Sequence, residues 1–171
     1  VYTWTLKDVK AFKHESNGPG ILHTAPHIDI YVKDYTINDQ KTIVLDDVAQ
    51  LHKYYQGFVN NLNKKECVDL KKITQDITKD KATDEEKIKS IFYWVKDNIK
   101  YVAFENGYEG FIPREADLVF ERKFGDCKDM ANIIVSMANY ANIKDVNLCW
   151  IGTREIPYSY TELATPAVDN H

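Results

Sequence analysis

The amino-acid sequence predicts an α+β fold. Three features carry that reading: period-two apolar alternation near the N-terminus, apolar stripes at helical spacing through the middle, and a helix–strand–strand order in the last third. The chain has 171 residues, of which 44% are apolar. That is long enough for one packed domain with an appendage, and apolar enough to argue against bulk disorder.

Residues 1–33 read as β. Tyr2, Trp4 and Leu6 alternate with polar residues, and Ile28, Ile30 and Val32 do so again. Alternation of this kind buries one face of a strand. The run His14-Glu15-Ser16-Asn17-Gly18-Pro19-Gly20 between them reads as a loop. Two strands bury little on their own, so a larger sheet is expected to include them. Residues 34–63 read as a polar connection that holds an apolar helix from Val48 to Val59. Val68, Ile73 and Ile77 mark the next helix, ending near Lys79-Asp80-Lys81.

Thr83-Asp84-Glu85-Glu86 is a capping box, with Thr83 as N-cap and Glu86 three residues on. Ile88, Ile91, Phe92, Val95 and Ile99 then form an apolar stripe at helical spacing. Tyr101 to Phe104 reads as a short extended piece and Gly107 to Pro113 as a loop. A last helix starts after Gly125, with Met130, Ile133, Ile134, Met137 and Ala141 on its buried face. Asn142 suits a left-handed cap there. Val146 to Ile151 reads as a strand with Val146, Leu148 and Trp150 on one face, and a further strand approaches His171.

Net charge is −4. The lysines are scattered and no basic stripe is interleaved with aromatics, which disfavours nucleic acid as a partner. No run is apolar enough to span a bilayer and no signal peptide is visible. The chain opens on Val1 in mid-pattern, and it reads as a piece of a longer protein. Its three cysteines, Cys67, Cys127 and Cys149, are widely spaced without a CxxC. That spacing argues against a zinc site and a disulfide framework, and no cofactor is expected.

The chemistry concentrates at Gly125-Asp126-Cys127-Lys128-Asp129. A thiol where a glycine turn feeds a helix meets the positive end of the helix dipole and unpaired N–H groups. Such surroundings lower a thiol pKa and bind a developing oxyanion. Asp126 is the candidate N-cap. The alternative is a small buried hydrophobe, the usual state of a free cysteine; that reading is kept for Cys67 and Cys149. A cysteine nucleophile needs an imidazole. Of the five histidines, His14, His23, His27 and His52 read as surface residues. His171 follows Pro166 and Ala167-Val168, where a strand could bring it to the thiol. Asp129 in the first helical turn is favoured by the dipole, and Arg114 could pair with it as a structural support. Loss of Arg114 would then lower stability without changing thiol reactivity.

Ile99-Lys100-Tyr101-Val102, Pro113-Arg114, Phe124-Gly125-Asp126-Cys127-Lys128-Asp129 and Asn170-His171 together resemble the bacterial transglutaminase-like proteins of the Gly-Asp-Cys-Lys-Asp type. The resemblance implies a papain-like core, helices packed on an antiparallel sheet, over residues 62–171 and cut short at its C-terminus. Residues 1–35 would be the closing strands of a preceding β-rich domain, and 36–61 a connecting segment. It also implies a Cys-His-Asp triad with Cys127 as nucleophile and His171 as its histidine, supported by Asp126, Lys128 and Asp129. The family's acid lies beyond the histidine, where this chain has no residue, and Asp169 is a weak substitute. Tyr101, Tyr108 and Trp150 could line a cleft, although alternation also fits Trp150 to a core.

The activity implied is hydrolysis or transamidation of a protein or peptide amide, as in a cysteine protease or transferase, outside the cytoplasm. The rival reading is a catalytically incomplete module that binds protein or glycan. A metal site on Cys127 and His171 ranks last, for want of ligands.

Overall fold

A computed structural model describes residues 1–13 and 15–165. In chain order the elements are α1 (Ile21–Thr24), β1 (Asp34–Ile37), β2 (Gln40–Ile43), α2 (Val48–Val59), α3 (Val68–Thr78), α4 (Asp84–Asn98) and β3 (Lys100–Tyr101). A 3₁₀ turn (Gly107–Gly110), α5 (Ala116–Arg122), β4 (Phe124–Gly125) and α6 (Cys127–Tyr140) complete them.

Four helices form the main core. α3, α4 and α5 each pack on α6, and α3 also packs on α4. Leu70, Ile91, Val119, Ile133 and Met137 are fully buried between them. The stripe read from the sequence supplies Ile91, Val95 and Ile99, but Phe92 is 51% exposed. Its ring lies edge-on to Tyr93 instead, with centroids 5.6 Å apart. α3 buries two threonines as well as Leu70. Thr74 donates to the Leu70 carbonyl at 2.8 Å and Thr78 to the Thr74 carbonyl at 2.7 Å, so each hydroxyl is satisfied within the helix.

The sheets are smaller than the sequence suggests. β1 and β2 form an antiparallel hairpin with Asp34 opposite Ile43. Asn38 and Asp39 turn it with φ of 50° and 60°, the double left-handed geometry of a type I′ turn. Reading this segment as a connection overlooked that turn signal. β3 and β4 pair in parallel, Lys100 with Phe124 and Tyr101 with Gly125. The antiparallel sheet expected beneath the helices is not present among the described residues.

Nor do the alternating runs around Trp4 and Ile30 form strands. Tyr2, Trp4, Leu6, Ile28, Ile30 and Val32 are exposed. Alternation gives a strand one apolar face, but a ladder also needs a neighbour for its N–H and C=O groups, and no described segment supplies one. Residues 146–150 are likewise no strand, and Ile151 makes only an isolated β-bridge. Val146, Leu148 and Trp150 do face inward while Asn147 and Cys149 face out. Their expected partner, the segment leading to His171, lies outside the described residues.

A second, aromatic cluster gathers around α2. Asp47 caps this helix by accepting from the Gln50 N–H at 2.8 Å. Leu51 and Tyr55 are buried there with Leu45 and Ala164, against Tyr54, Phe58, Phe111, Trp150 and Tyr160.

Candidate active site

Gly125, Asp126 and Cys127 join β4 to α6, and each has a separate physical task. A Cβ on Gly125 would lie 2.6 Å from the Asp129 Cβ and 3.0 Å from its Oδ2. Only a glycine lets the Asp129 side chain fold back across this turn. Asp126 is the N-cap. It accepts from the Asp129 N–H at 3.3 Å, while Asp129 accepts from the Asp126 N–H at 3.2 Å, a reciprocal capping box. Cys127 is the first residue of α6 and is partly exposed.

Beneath the cysteine, charges of both signs are buried. Asp126, Lys128 and Asp129 have no exposed surface. Lys128 Nζ pairs with Asp126 and also donates to the Phe104 carbonyl at 3.3 Å. Arg114 holds Asp129 twice, with Nη1 donating to Oδ2 at 2.7 Å and its backbone N–H to Oδ1 at 2.7 Å. Its guanidinium lies 4.8 Å from the centroid of the Phe104 ring. Two carboxylates and two cations thus neutralise one another, which burial of charge requires.

A polar chain continues outward from Arg114. Asn132 donates to the Arg114 carbonyl at 2.8 Å, and Asn63 donates to Asn132 at 2.9 Å. Asn63 also accepts from the Ala116 N–H at 2.9 Å, which ties the loop after α2 to the start of α5. The sequence pointed to the Arg114–Asp129 pair but not to Asn63 or Asn132. Asparagines carry no pairing signal until the fold sets them side by side.

Tyr101 stands over this turn. It is 53% exposed, and its phenol interacts electrostatically with Cys127. Burial raises the Tyr101 phenol pKa, and the negative charges of Cys127, Glu105 and Asp126 raise it further. Cys127 departs from expectation. Burial pushes its thiol above the ordinary range, and the carboxylates of Asp126 and Glu105 add to that rise. The Lys128 N–H and the Lys128 charge pull the other way without prevailing. A helix N-terminus depresses a thiol pKa only where burial and nearby carboxylates do not outweigh it.

The other candidates lie elsewhere. Trp150 stacks on Tyr55 with centroids 4.9 Å apart, and its indole N–H donates to the Phe111 carbonyl at 3.3 Å. It lines a groove of about 460 Å³ against α2 that does not include Cys127. Tyr108 is 71% exposed and sits edge-on to Phe58. His23 meets the Arg154 carbonyl and His27 the Ala25 carbonyl and Asp29. His52 lines the groove beside α2. Asp169 and His171 lie outside the described residues, as does His14. The described residues contain no cluster of metal-ligating side chains and no helix long and apolar enough to cross a membrane.

Comparison with known proteins bears on the same turn. The family model of the transglutaminase-like superfamily matches residues 71–144, which span α3 to the end of α6 and include the whole buried charge group except its outer asparagine, Asn63. This segment is similar to the core of the transglutaminase-like superfamily. A solved structure from Parabacteroides distasonis, a protein proposed to be a protease, is 17% identical with a TM-score of 0.45 over 54% of this chain. The chain spans only 18% of that protein's length. No curated protein matches the sequence.

Proposed function

We propose that the transglutaminase-like core performs cysteine-dependent amide chemistry through Cys127. One observation carries the reading: a partly exposed thiol at the first position of a capped helix. In the proposed reaction the Cys127 sulfur attacks an amide carbonyl carbon of a protein or peptide. The resulting oxyanion is held by the Cys127 N–H and the Tyr101 hydroxyl. His171, in the role the family resemblance gives it, takes the thiol proton as the sulfur attacks and passes it to the departing amine, and a thioester remains on Cys127. Water then releases a carboxylic acid, or a second amine gives a new amide. Asp126, Lys128, Asp129 and Arg114 hold the turn and touch no reacting atom.

The raised Cys127 thiol favours a second reading, a module that binds protein or glycan without turnover. The two separate in one experiment. Iodoacetamide labelling of Cys127 is followed against pH by mass spectrometry in wild type and His171→Ala. Incubation with a glutamine-containing peptide and a primary amine is monitored for a thioester on Cys127. An enzyme shows labelling below pH 8 that His171→Ala abolishes, together with a thioester absent from Cys127→Ser. A binding module labels only above the ordinary thiol range near 8.5 in both proteins and forms no thioester.

We also propose that residues 1–35 belong to a preceding β-rich domain. The exposed apolar faces of Trp4 and Ile30 support this, because neighbouring strands would cover them.

A further inference from the structure

α4 starts on a neutral threonine, whereas α6 starts on Asp126, a carboxylate with no exposed surface. Asparagine or serine caps a helix as well as aspartate does, and buries no ion. An acid here also stands next to Cys127, where its charge opposes a thiolate. One residue beyond the cysteine lies the opposite charge. Lys128, the largest fully buried side chain described, pairs its Nζ with Asp126 Oδ2, while Oδ1 accepts from the Asp129 N–H at 3.3 Å. Nζ also donates to the Phe104 carbonyl at 3.3 Å, which fixes the ammonium beneath the turn. A buried ion pair seldom adds net stability over apolar groups of the same shape, so stability alone does not account for this one.

The remaining charges around the turn make Lys128 decisive. Asp129 is matched by Arg114, whose Nη1 donates to its Oδ2 at 2.7 Å and lies 3.8 Å from Asp126 Oδ2. Tyr101 on β3 and Glu105 beyond it also act on Cys127; the phenol is neutral and Glu105 is exposed. Without Lys128 the buried group would hold two carboxylates against a single cation.

We infer that Lys128 is a charge-balancing residue, which holds and neutralises the Asp126 carboxylate so that an acidic cap can stand beside Cys127 without setting an unbalanced negative charge against its sulfur. Lys128 touches no reacting atom and acts through Asp126. The inference rests on Cys127 as the reactive group of the proposed function. Its test reads thiol ionisation alone, so it can succeed or fail whether or not the protein turns over an amide.

The experiment measures the pH midpoint of Cys127 labelling by iodoacetamide in wild type, Lys128→Met, Asp126→Asn and the double variant. Methionine fills the space of the lysine without its charge, and asparagine keeps the cap. Lys128→Met should raise the midpoint by about one pH unit, because the bare carboxylate opposes the thiolate. Asp126→Asn should lower it by about as much, because the ammonium is left unopposed. The double variant removes one charge of each sign and should return to the wild-type midpoint. Single variants that shift the midpoint in the same direction, or leave it where it was, make Lys128 a packing residue only and overturn the inference. Should circular dichroism show Lys128→Met unfolded, the other two variants carry the test, since neither leaves a carboxylate buried without its cation. Asp126→Asn must still lower the midpoint, and adding Lys128→Met must bring it back. A double variant that keeps the lowered midpoint shows that the Lys128 charge does not act on the thiol, and the inference falls.

Discussion

At the start of α4, Thr83 accepts from the Glu86 N–H at 3.2 Å and Glu86 from the Thr83 N–H at 3.1 Å. At the start of α6, Asp126 and Asp129 make the same reciprocal pair at 3.3 and 3.2 Å. The local geometry is alike, but the surroundings differ. The α4 box is exposed, and its residues end their work by satisfying helix N–H groups and a further bond from the Ala82 N–H at 2.9 Å. The α6 box is fully buried, and each of its carboxylates also carries a cation, Lys128 on Asp126 and Arg114 on Asp129. A cap in water can be lost at the cost of a helix end. A cap in the interior is part of a neutral charge group, and removing one member strands the rest.

The largest way to break this contrast is Gly125→Ala. Its methyl would displace the Asp129 side chain from Arg114 and from the Asp126 N–H together, so urea unfolding should show a loss of about 4 kcal/mol. Arg114→Ala leaves Asp129 buried without its cation and should cost about 3 kcal/mol in the same assay. A loss below 1 kcal/mol for either would mean the buried group relaxes as easily as a surface cap. Thr83→Ala at the exposed box should cost only about 1 kcal/mol.

The smallest effect is a pH dependence. The Thr83 and Ala82 N–H groups hold the Glu86 carboxyl below its ordinary range in the folded protein. A depressed folded pKa gives stability that is present above the unfolded value and lost as pH falls through the folded one. Unfolding curves of wild type and Glu86→Gln should therefore differ near neutral pH and converge in acid. A gap that is constant with pH would show that charge plays no part in that cap.

Most of the helical half of the protein was legible because its signals are local, but α5, seven residues long and without a side-chain cap, was not foreseen. α2, α3 and α4 lie where caps and periodicity place them, and Asn142 adopts the left-handed φ of 61° expected of it. The Arg114–Asp129 pair was also foreseeable, as opposite charges in a motif and the segment leading to it. Phe92 shows the limit of a periodic stripe, since spacing gives a face but not its width. The β regions were read less well because a strand is defined by its partner. Alternation around Trp4 names an apolar face and says nothing of what will pair with it, while the Asn38-Asp39 turn needed only two residues to form its hairpin.

The site divides along the same line. The sequence alone determined that Cys127 follows a glycine turn and an acidic cap at the head of an amphipathic helix, because those features depend on neighbours within a few residues. Tertiary structure decided what that cysteine experiences. Tyr101 comes into its electrostatic field from 26 positions away, Lys128 is buried against the Phe104 carbonyl, and burial with Asp126 and Glu105 raises a thiol that its helix alone would lower. Charge–charge and desolvation effects depend on distance in space and on access of water, and neither is set by spacing along the chain.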